Sequence, residues 1–415
     1  MKARLKPLRD QVIVITGASS GIGLATARMA AGNGAAVVLA ARTEQALNKA
    51  VQEITRANGR AIAVRCDVSQ RDELERLADE AVRSFGRIDT WVNNAGVGIW
   101  GRIEEVSEAD MRQLFETNFW GEVAGSLVAL PHLKRQGGAL INMGSMASDR
   151  AIPLQGIYSA SKHAVMGFTD ALRMELEEEG APVSVTLIKP ASIGTPMPQH
   201  VKNYTQSEPK FPPPVYAPEE AAKVILHAAT HPVRDAFVGG SARTISTLAK
   251  MAPRLLDRAS EGMLFKAQMG SKSPSPGDNL WTGRSEGEVR GNHQGSMIRP
   301  SLYSNAAVHP GLTTAMAGLA LVGIGWLAAR RPDGARGNST RQTLRPSSTA
   351  RAGITQSGKG EEGGRGRRAV STGLNARPLD YSIAQTAAGI PDDSAQALEI
   401  SPDEERRIAE KIEAL

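Results

Sequence analysis

The sequence predicts an α/β protein: a Rossmann-type, doubly wound sheet of about seven parallel strands flanked by helices, followed by a largely irregular C-terminal extension. Three observations predict it. Short apolar, often β-branched runs alternate with helical stretches at the spacing of strand–helix–strand units, without tight hairpin signals between them. A glycine-rich turn, Thr16-Gly17-Ala18-Ser19-Ser20-Gly21-Ile22-Gly23, joins the first run to the first helix. Small, amide and hydroxyl residues then gather where the strands end, the edge at which such sheets bind ligands.

Taken in order, residues 12–15 (Val-Ile-Val-Ile) read as a strand buried on both faces, and an Ala-rich helix follows at about 24–33. Gly17 permits the tight turn, while Gly21 and Gly23 let a pyrophosphate approach the helix N-terminus, where N–H groups and the dipole favour an anion. Ser19, Ser20 and Ile22 complete that candidate cradle. The second strand, 36–41, runs into Arg42. A site for NAD usually puts an acid there for the ribose 2′-OH; none is present, and the Arg42 fork suits a 2′-phosphate, so NADP is expected over NAD. A helix at 44–57 and a strand at 61–65 lead to Asp67 and Val68, where the Asp could reach an adenine amino group. Helix 71–85 and strand 88–92 end in Asn93-Asn94-Ala95-Gly96, with amides to brace the turn and a glycine leaving room for a cofactor. A long helix, 107–133, carries Asn118 mid-way, a residue that needs a specific hydrogen-bond role there. Strand 139–143 ends at Ser145, and strand 183–188 runs into Pro190-Ala191-Ser192-Ile193-Gly194-Thr195. Helix 218–230, with Pro at its first position, and strand 235–238 complete the alternation.

Between the strands at 139–143 and 183–188 lies Tyr158-Ser159-Ala160-Ser161-Lys162. On a helix, residues four apart share a face, so the phenol and the ammonium point the same way. A free phenol ionises near pH 10, too high for efficient proton exchange near neutrality. A cation roughly 4 Å away is worth about 4 kcal/mol at an effective dielectric of about 20, equivalent to about three pKa units. That is the size needed to make Tyr158 a general acid or base.

Composition bounds the rest. The 415 residues suffice for one large domain with appendages or for two domains. Cys66 is the only cysteine, which excludes an intrachain disulfide and fits a reducing, cytoplasmic setting. After the basic start, the apolar run at 12–15 is too short for a secretory signal. The net charge of +6 is modest, so nucleic acid is not an expected partner. No metal site is expected.

Residues from about 10 to 240 resemble the compact branch of the short-chain dehydrogenase/reductase family. The resemblance is carried by the Thr16–Gly23 turn, Asp67, Asn93-Asn94-Ala95-Gly96, Asn118, Ser145, Tyr158 with Lys162, and Pro190 through Thr195. It implies that Tyr158 passes a proton to a substrate carbonyl oxygen held by Ser145 while hydride arrives from the nicotinamide. Lys162 would bond the nicotinamide ribose and favour the phenolate, and Asn118 would support a water relay to Lys162. Asn94, Ala95, Gly96, Pro190, Ile193 and Thr195 would line the nicotinamide half, with Thr195 on the carboxamide. One departure is Pro190-Ala191, where the family commonly has Pro-Gly; the added methyl is expected to be tolerated.

The expected substrate pocket is apolar and adaptable, formed by Val97, Ile99, Trp100, Met143, Met146 and Ile193. Residues 196–217, with three consecutive prolines, read either as a lid or as a plain surface connection. Helices at about 242–256 and 261–269 would pack on the core or on a second copy in a homo-oligomer. The organisation expected is a catalytic domain over 1–269, a linker or irregular surface-hugging chain over 270–311, an apolar helix over 312–331, a basic disordered tail over 332–400 and a short capped helix over 401–415. For the apolar stretch three readings stand: a membrane anchor, an interfacial helix and a buried helix. The functional reading is an NADP-dependent oxidoreductase for an apolar carbonyl/alcohol pair. The rival is a non-catalytic NADP-binding regulator or scaffold that recruits partners or a membrane through its tail.

Overall fold

The computed structural model describes residues 3–308, apart from 274–276, 285–286 and 294. Chain contacts divide the protein into two units, Met1–Pro332 and Asp333–Leu415, the second lying wholly outside the described residues. The expected features at 312–331, 332–400 and 401–415 therefore also lie outside them.

Seven strands form the sheet: β1 (Val12–Thr16), β2 (Ala36–Ala41), β3 (Arg60–Arg65), β4 (Thr90–Asn93), β5 (Gly138–Met143), β6 (Val183–Pro190) and β7 (Asp235–Val238). Every pairing is parallel, in the order β3-β2-β1-β4-β5-β6-β7. Alternation of side chains sorts each strand between two cores. Ile13, Ile15, Val37 and Leu39 pack against α1 (Gly21–Gly32), α2 (Glu44–Arg56) and α7 (Pro218–Ala228). Val12, Val14, Val38 and Trp91 pack against α3 (Arg71–Phe85), α5 (Gly121–Gln136) and α6 (Gly156–Glu178). Both faces are covered, which is why β1 up to Ile15 and all of β2 are apolar rather than alternating with polar residues.

After β3 the chain returns beneath the sheet through α3 and pairs β4 with the free side of β1. Strand order reverses there, so the connections leaving β1 and β4 part in opposite directions and open a crevice at their carboxyl ends. The Gly17 turn and the Asn94-Ala95-Gly96 turn form its two lips.

The long helix anticipated over 107–133 has a break in its pattern. It comprises α4 (Glu108–Phe115), a five-residue π turn (Glu116–Trp120) and then α5. Ser107 caps α4 by accepting a hydrogen bond from the Asp110 N–H at 3.2 Å. The π turn holds Asn118, and such insertions re-aim side chains at functional sites.

Residues 196–217 are more ordered than a plain loop. They include a helical turn, Met197–His200, and a short strand, Lys202–Asn203, paired in parallel with Ile99–Trp100. Beyond β7 come α8 (Gly240–Met251) and α9 (Pro253–Ala259), separated at Ala252 because Pro253 starts a new helix rather than continuing the old one. The stretch from 277 to 300 carries no helix or named strand among its described residues, yet it makes specific contacts along the crevice, and a short helix, Leu302–Val308, follows it. Among the described residues no helix is long and apolar enough to cross a membrane.

Candidate active site

The crevice begins at the Gly17 turn. Gly17 has φ +65°, and a Cβ there would lie 2.7 Å from the Ala95 Cα, so the two lips meet over a bare glycine. Thr16 stitches them together: its Oγ1 accepts hydrogen bonds from the Asn94 and Ala95 N–H groups (3.0 and 3.1 Å). The Asn94 amide closes the seam by donating to the Thr16 and Gly17 carbonyls (2.9 and 3.2 Å). Gly23 lies beneath this seam, where a Cβ would meet the Gly17 carbonyl and the Asn94 Nδ2 (2.6 Å). Ser20 occupies the N-cap of α1, but its side chain makes no capping bond, so the helix mouth is left to other acceptors.

One cavity extends from this turn toward the end of β2. It is lined by Gly17, Ser19, Ser20, Gly21, Ile22, Arg42, Asp67, Val68, Asn94, Ala95, Gly96 and Thr195, together with Val97. Asp67 is turned partly inward on itself, its Oδ1 accepting from the Ser69 N–H (3.0 Å) and Oγ (2.8 Å). A second cavity continues from Ile22, Asn94, Gly96 and Thr195 into a pocket of Met143, Ser145, Met146, Ile152, Tyr158, Lys162, Pro190, Ile193, Phe211 and Pro212. Its lining is polar at Asn94, Ser145, Gln155, Tyr158, Lys162, Ser192 and Thr195 and largely apolar elsewhere.

Helix α6 supplies Tyr158 and Lys162 from the same face, as the four-residue spacing predicts. Lys162 is buried and donates to the Met143 carbonyl at the end of β5 (2.6 Å). Its ammonium also faces the Glu122 carboxyl at 3.7 Å. Burial pushes Glu122 up to about 8, more than the neighbouring ammonium pulls it down. Ser145 caps the turn after β5, its Oγ accepting from the Ala147 N–H (3.0 Å), which fixes the hydroxyl at the pocket wall.

Not every anticipated residue reaches a cavity. Asn118 is fully buried; its amide accepts from the Val97 N–H (2.8 Å) and donates to the Val97 carbonyl (2.9 Å), pinning the wall behind the site. Ile99 and Trp100, expected around the substrate, do not line the pocket. Their pairing with Lys202–Asn203 turns Ile99 into a small core with Val106, Leu114 and Leu280, and Trp100 meets Phe211 edge-on at 6.2 Å. Val97 likewise belongs to that core and borders the first cavity instead of the second.

The part that sequence reasoning did not associate with the site is the stretch after residue 277. Carbonyls of Asn279, Leu280 and Trp281 all accept from the Arg42 guanidinium, the last two at 3.4 and 3.3 Å. Burial lowers the Arg42 pKa, with Asp67 pulling the other way. Farther on, the Glu288 carbonyl accepts from the Gly21 N–H (3.0 Å), and the Gly291 N–H donates to the Gly194 carbonyl (3.2 Å). The Ile298 N–H donates to Val215 (2.8 Å). The stretch thus follows the crevice from the Arg42 end to the Thr195 end. Asp110 on α4 secures it and the 196–217 segment together, accepting from the Trp281 Nε1 (2.7 Å) and the Tyr204 hydroxyl (2.6 Å).

A family model for short chain dehydrogenases matches residues 11–206. An uncharacterized oxidoreductase of Bacillus subtilis (strain 168), YxnA, is 44% identical over 336 residues, covering 80% of this chain and 93% of the relative. The chain belongs to the short chain dehydrogenase family. This short chain dehydrogenase is also similar to the Arabidopsis thaliana 11-beta-hydroxysteroid dehydrogenase 1A, at 36% identity over 197 residues, 46% of this chain and 55% of that one. A solved structure of a short chain dehydrogenase/reductase from Burkholderia phymatum in complex with NAD superposes with a TM-score of 0.55 at 29% identity, covering 61% of this chain and 97% of its own. The match to YxnA is long enough to extend past the family model, which ends at residue 206. The short chain dehydrogenase is therefore an oxidoreductase with a nucleotide-binding sheet, and the crevice geometry fits a nicotinamide dinucleotide: a bare glycine seam, a helix mouth without a side-chain cap and an apolar end pocket.

Proposed function

We propose that the protein is an NADP(H)-dependent oxidoreductase interconverting an apolar ketone or aldehyde and its alcohol, with Tyr158 as general acid and base. The observation that carries this reading is the meeting of Ser145, Tyr158 and Lys162 in one largely apolar pocket that opens from the Gly17 crevice. When bound, the nicotinamide supplies or accepts the hydride.

The chain's own residues do the rest. The Gly17–Gly23 turn and the α1 mouth hold the pyrophosphate, Asp67 and Val68 border the adenine, and Arg42 takes the 2′-phosphate. Asn94, Ala95, Gly96, Pro190, Ile193 and Thr195 frame the nicotinamide end. Tyr158 gives its proton to the substrate carbonyl oxygen in reduction and takes it back in oxidation. The Ser145 hydroxyl donates a hydrogen bond to that oxygen. Lys162, anchored by the Met143 carbonyl, presents a fixed positive charge that favours the phenolate. Asn118 keeps the Val97 backbone in register behind it and supports the water path toward Lys162. Met143, Met146, Ile152 and Phe211 select an apolar substrate, and the Phe211-Pro212 segment acts as the lid that limits water. Exposed Trp120 and Leu127 along the Asn118-bearing helix, with Met174 on α6, favour a homo-oligomer.

The test is NADPH consumption with a panel of ketones and aldehydes, alongside Tyr158→Phe. Turnover that disappears in the variant while NADPH affinity stays is the expected result. Tight NADPH binding with no turnover on any carbonyl would favour the non-catalytic scaffold instead.

A further inference from the structure

Glu122 has no part in the reading just given, yet it lies against its centre. It is on α5, one turn beyond Asn118, and is 3% exposed. No well-formed hydrogen bond reaches either carboxyl oxygen; the Met143 backbone and the Lys162 ammonium, 3.7 Å from Oε2, favour its ionised form only weakly against burial. Its backbone carbonyl, by contrast, is fully engaged by the Asn93 amide (3.2 Å) and the Ser126 hydroxyl (2.7 Å), so the residue is held firmly in place.

The groups acting on the carboxyl are few: helix α6 contributes the Lys162 ammonium and β5 the Met143 backbone. Lys162 is the charged group that acts on it. A carboxyl buried with so little hydrogen-bond support costs stability, and a buried ion pair recovers little of that cost. Fold stability is therefore a poor account of an acid at this position.

We propose that Glu122 is a positioning acid for the reaction, a buried proton store that acts on Tyr158 through Lys162. The inference rests on the Tyr158 acid/base reading. In the reductive direction Tyr158 gives its phenolic proton to the substrate oxygen, and the phenolate is refilled from the Lys162 ammonium. The resulting amine takes the Glu122 carboxyl proton, and the carboxylate left behind is reprotonated from solvent. Each transfer moves one proton and leaves no net charge stranded in the apolar pocket. Once Glu122 is ionised, its negative charge offsets the Lys162 field at the phenol, so the two acids titrate as a coupled pair. Burial, which outweighs the pull of Lys162 and raises the carboxyl's pKa, is what lets Glu122 hold a proton to give.

The experiment compares wild type, Glu122→Gln and Glu122→Asp. Gln keeps the shape and removes the titration; Asp restores a carboxyl. In the oxidative direction, kcat/KM for the wild type is expected to rise with pH over a broadened, two-proton curve. In Glu122→Gln it should collapse to a single-proton curve whose midpoint lies lower by about one pH unit. Glu122→Asp should recover the broadened shape. KM should hardly change. A second readout needs no cofactor: phenolate absorbance of Tyr158, obtained by subtracting the Tyr158→Phe protein in each background, should move the same way. Superposable curves for wild type and Glu122→Gln in both measurements would overturn the proposal. An inert Glu122→Gln beside a dead Tyr158→Phe removes the proton store alone; an active Tyr158→Phe removes the acid/base reading beneath it.

Discussion

Replacing Asp110 with alanine tests whether the stretch after residue 277 is held on the crevice by the contacts described. The carboxylate accepts from the Tyr204 hydroxyl at 2.6 Å and the Trp281 indole at 2.7 Å, tying the 196–217 segment and the later stretch to α4. A hydrogen bond to a charged acceptor is worth about 1.5–3 kcal/mol. Trp281 is 52% exposed and regains water when released, so the net loss for the pair is about 2 kcal/mol. The Lys202 contact at 3.8 Å is partly exposed and adds little. A loss of about 2 kcal/mol is a roughly 30-fold rise in local opening. Amide hydrogen exchange reads it directly. The Tyr204 N–H, bonded to Trp100, and the Asn279 N–H, bonded to His200, should exchange roughly 30-fold faster while amides of β1 and β4 stay protected. Acid should act like the mutation. Burial opposes ionisation of Asp110, but the bonds from Tyr204, Trp281 and Ser107 and the charge of Lys202 outweigh it and lower its pKa. A carboxyl lowered in the folded state contributes stability that is present above its unfolded value of about 3.9 and lost as the pH falls through the folded value. Faster exchange of the two amides should therefore set in below about pH 4 in the wild type and be missing from Asp110→Ala. Unchanged exchange at Tyr204 and Asn279, or equal acceleration across the sheet, would refute the reasoning.

Arg42→Ala should weaken NADPH by roughly 30-fold or more and NADH far less, measured by fluorescence titration; equal losses would defeat the 2′-phosphate assignment. Gly23→Ala would push a methyl to within 2.6 Å of the Asn94 Nδ2 and against the Gly17 carbonyl, so it should cost about 1–3 kcal/mol in chemical denaturation and weaken both cofactors together. The Cys66 thiol, raised to about 12 by burial and then by Glu73 and Asp67, should resist iodoacetamide at pH 8 until the protein is unfolded. Rapid labelling of the folded protein would contradict its placement.

Most of the sheet was legible because burial on both faces writes itself into composition. The β1 and β2 runs have no polar position to spare, and their ends coincide with the turns that carry function. The Gly17 turn and the Tyr158/Lys162 pair were legible for a related reason: each depends on residues within eight positions of one another. What escaped was long-range. Arg42 and Asn279 are 237 residues apart, and a segment that binds through its main-chain carbonyls leaves no periodic pattern to read. The pairing of Ile99–Trp100 with Lys202–Asn203 is only two residues long, too short to announce itself, yet it decides that Ile99 joins a core instead of the pocket. The π turn at Glu116–Trp120 was hidden inside an otherwise regular helical pattern. Glu122 left one faint signal, an acid among Gly121, Val123, Ala124 and Gly125, four places after Asn118.

The Glu288 carbonyl on the Gly21 N–H is, in effect, an incumbent ligand. Any dinucleotide that lodges at the mouth of α1 must exchange places with the protein's own backbone there. Measured affinity then reports the intrinsic grip scaled by the fraction of molecules in which that seat stands vacant. Loosening the incumbent should tighten apparent binding, the reverse of what removing a contact from a closed site ordinarily does.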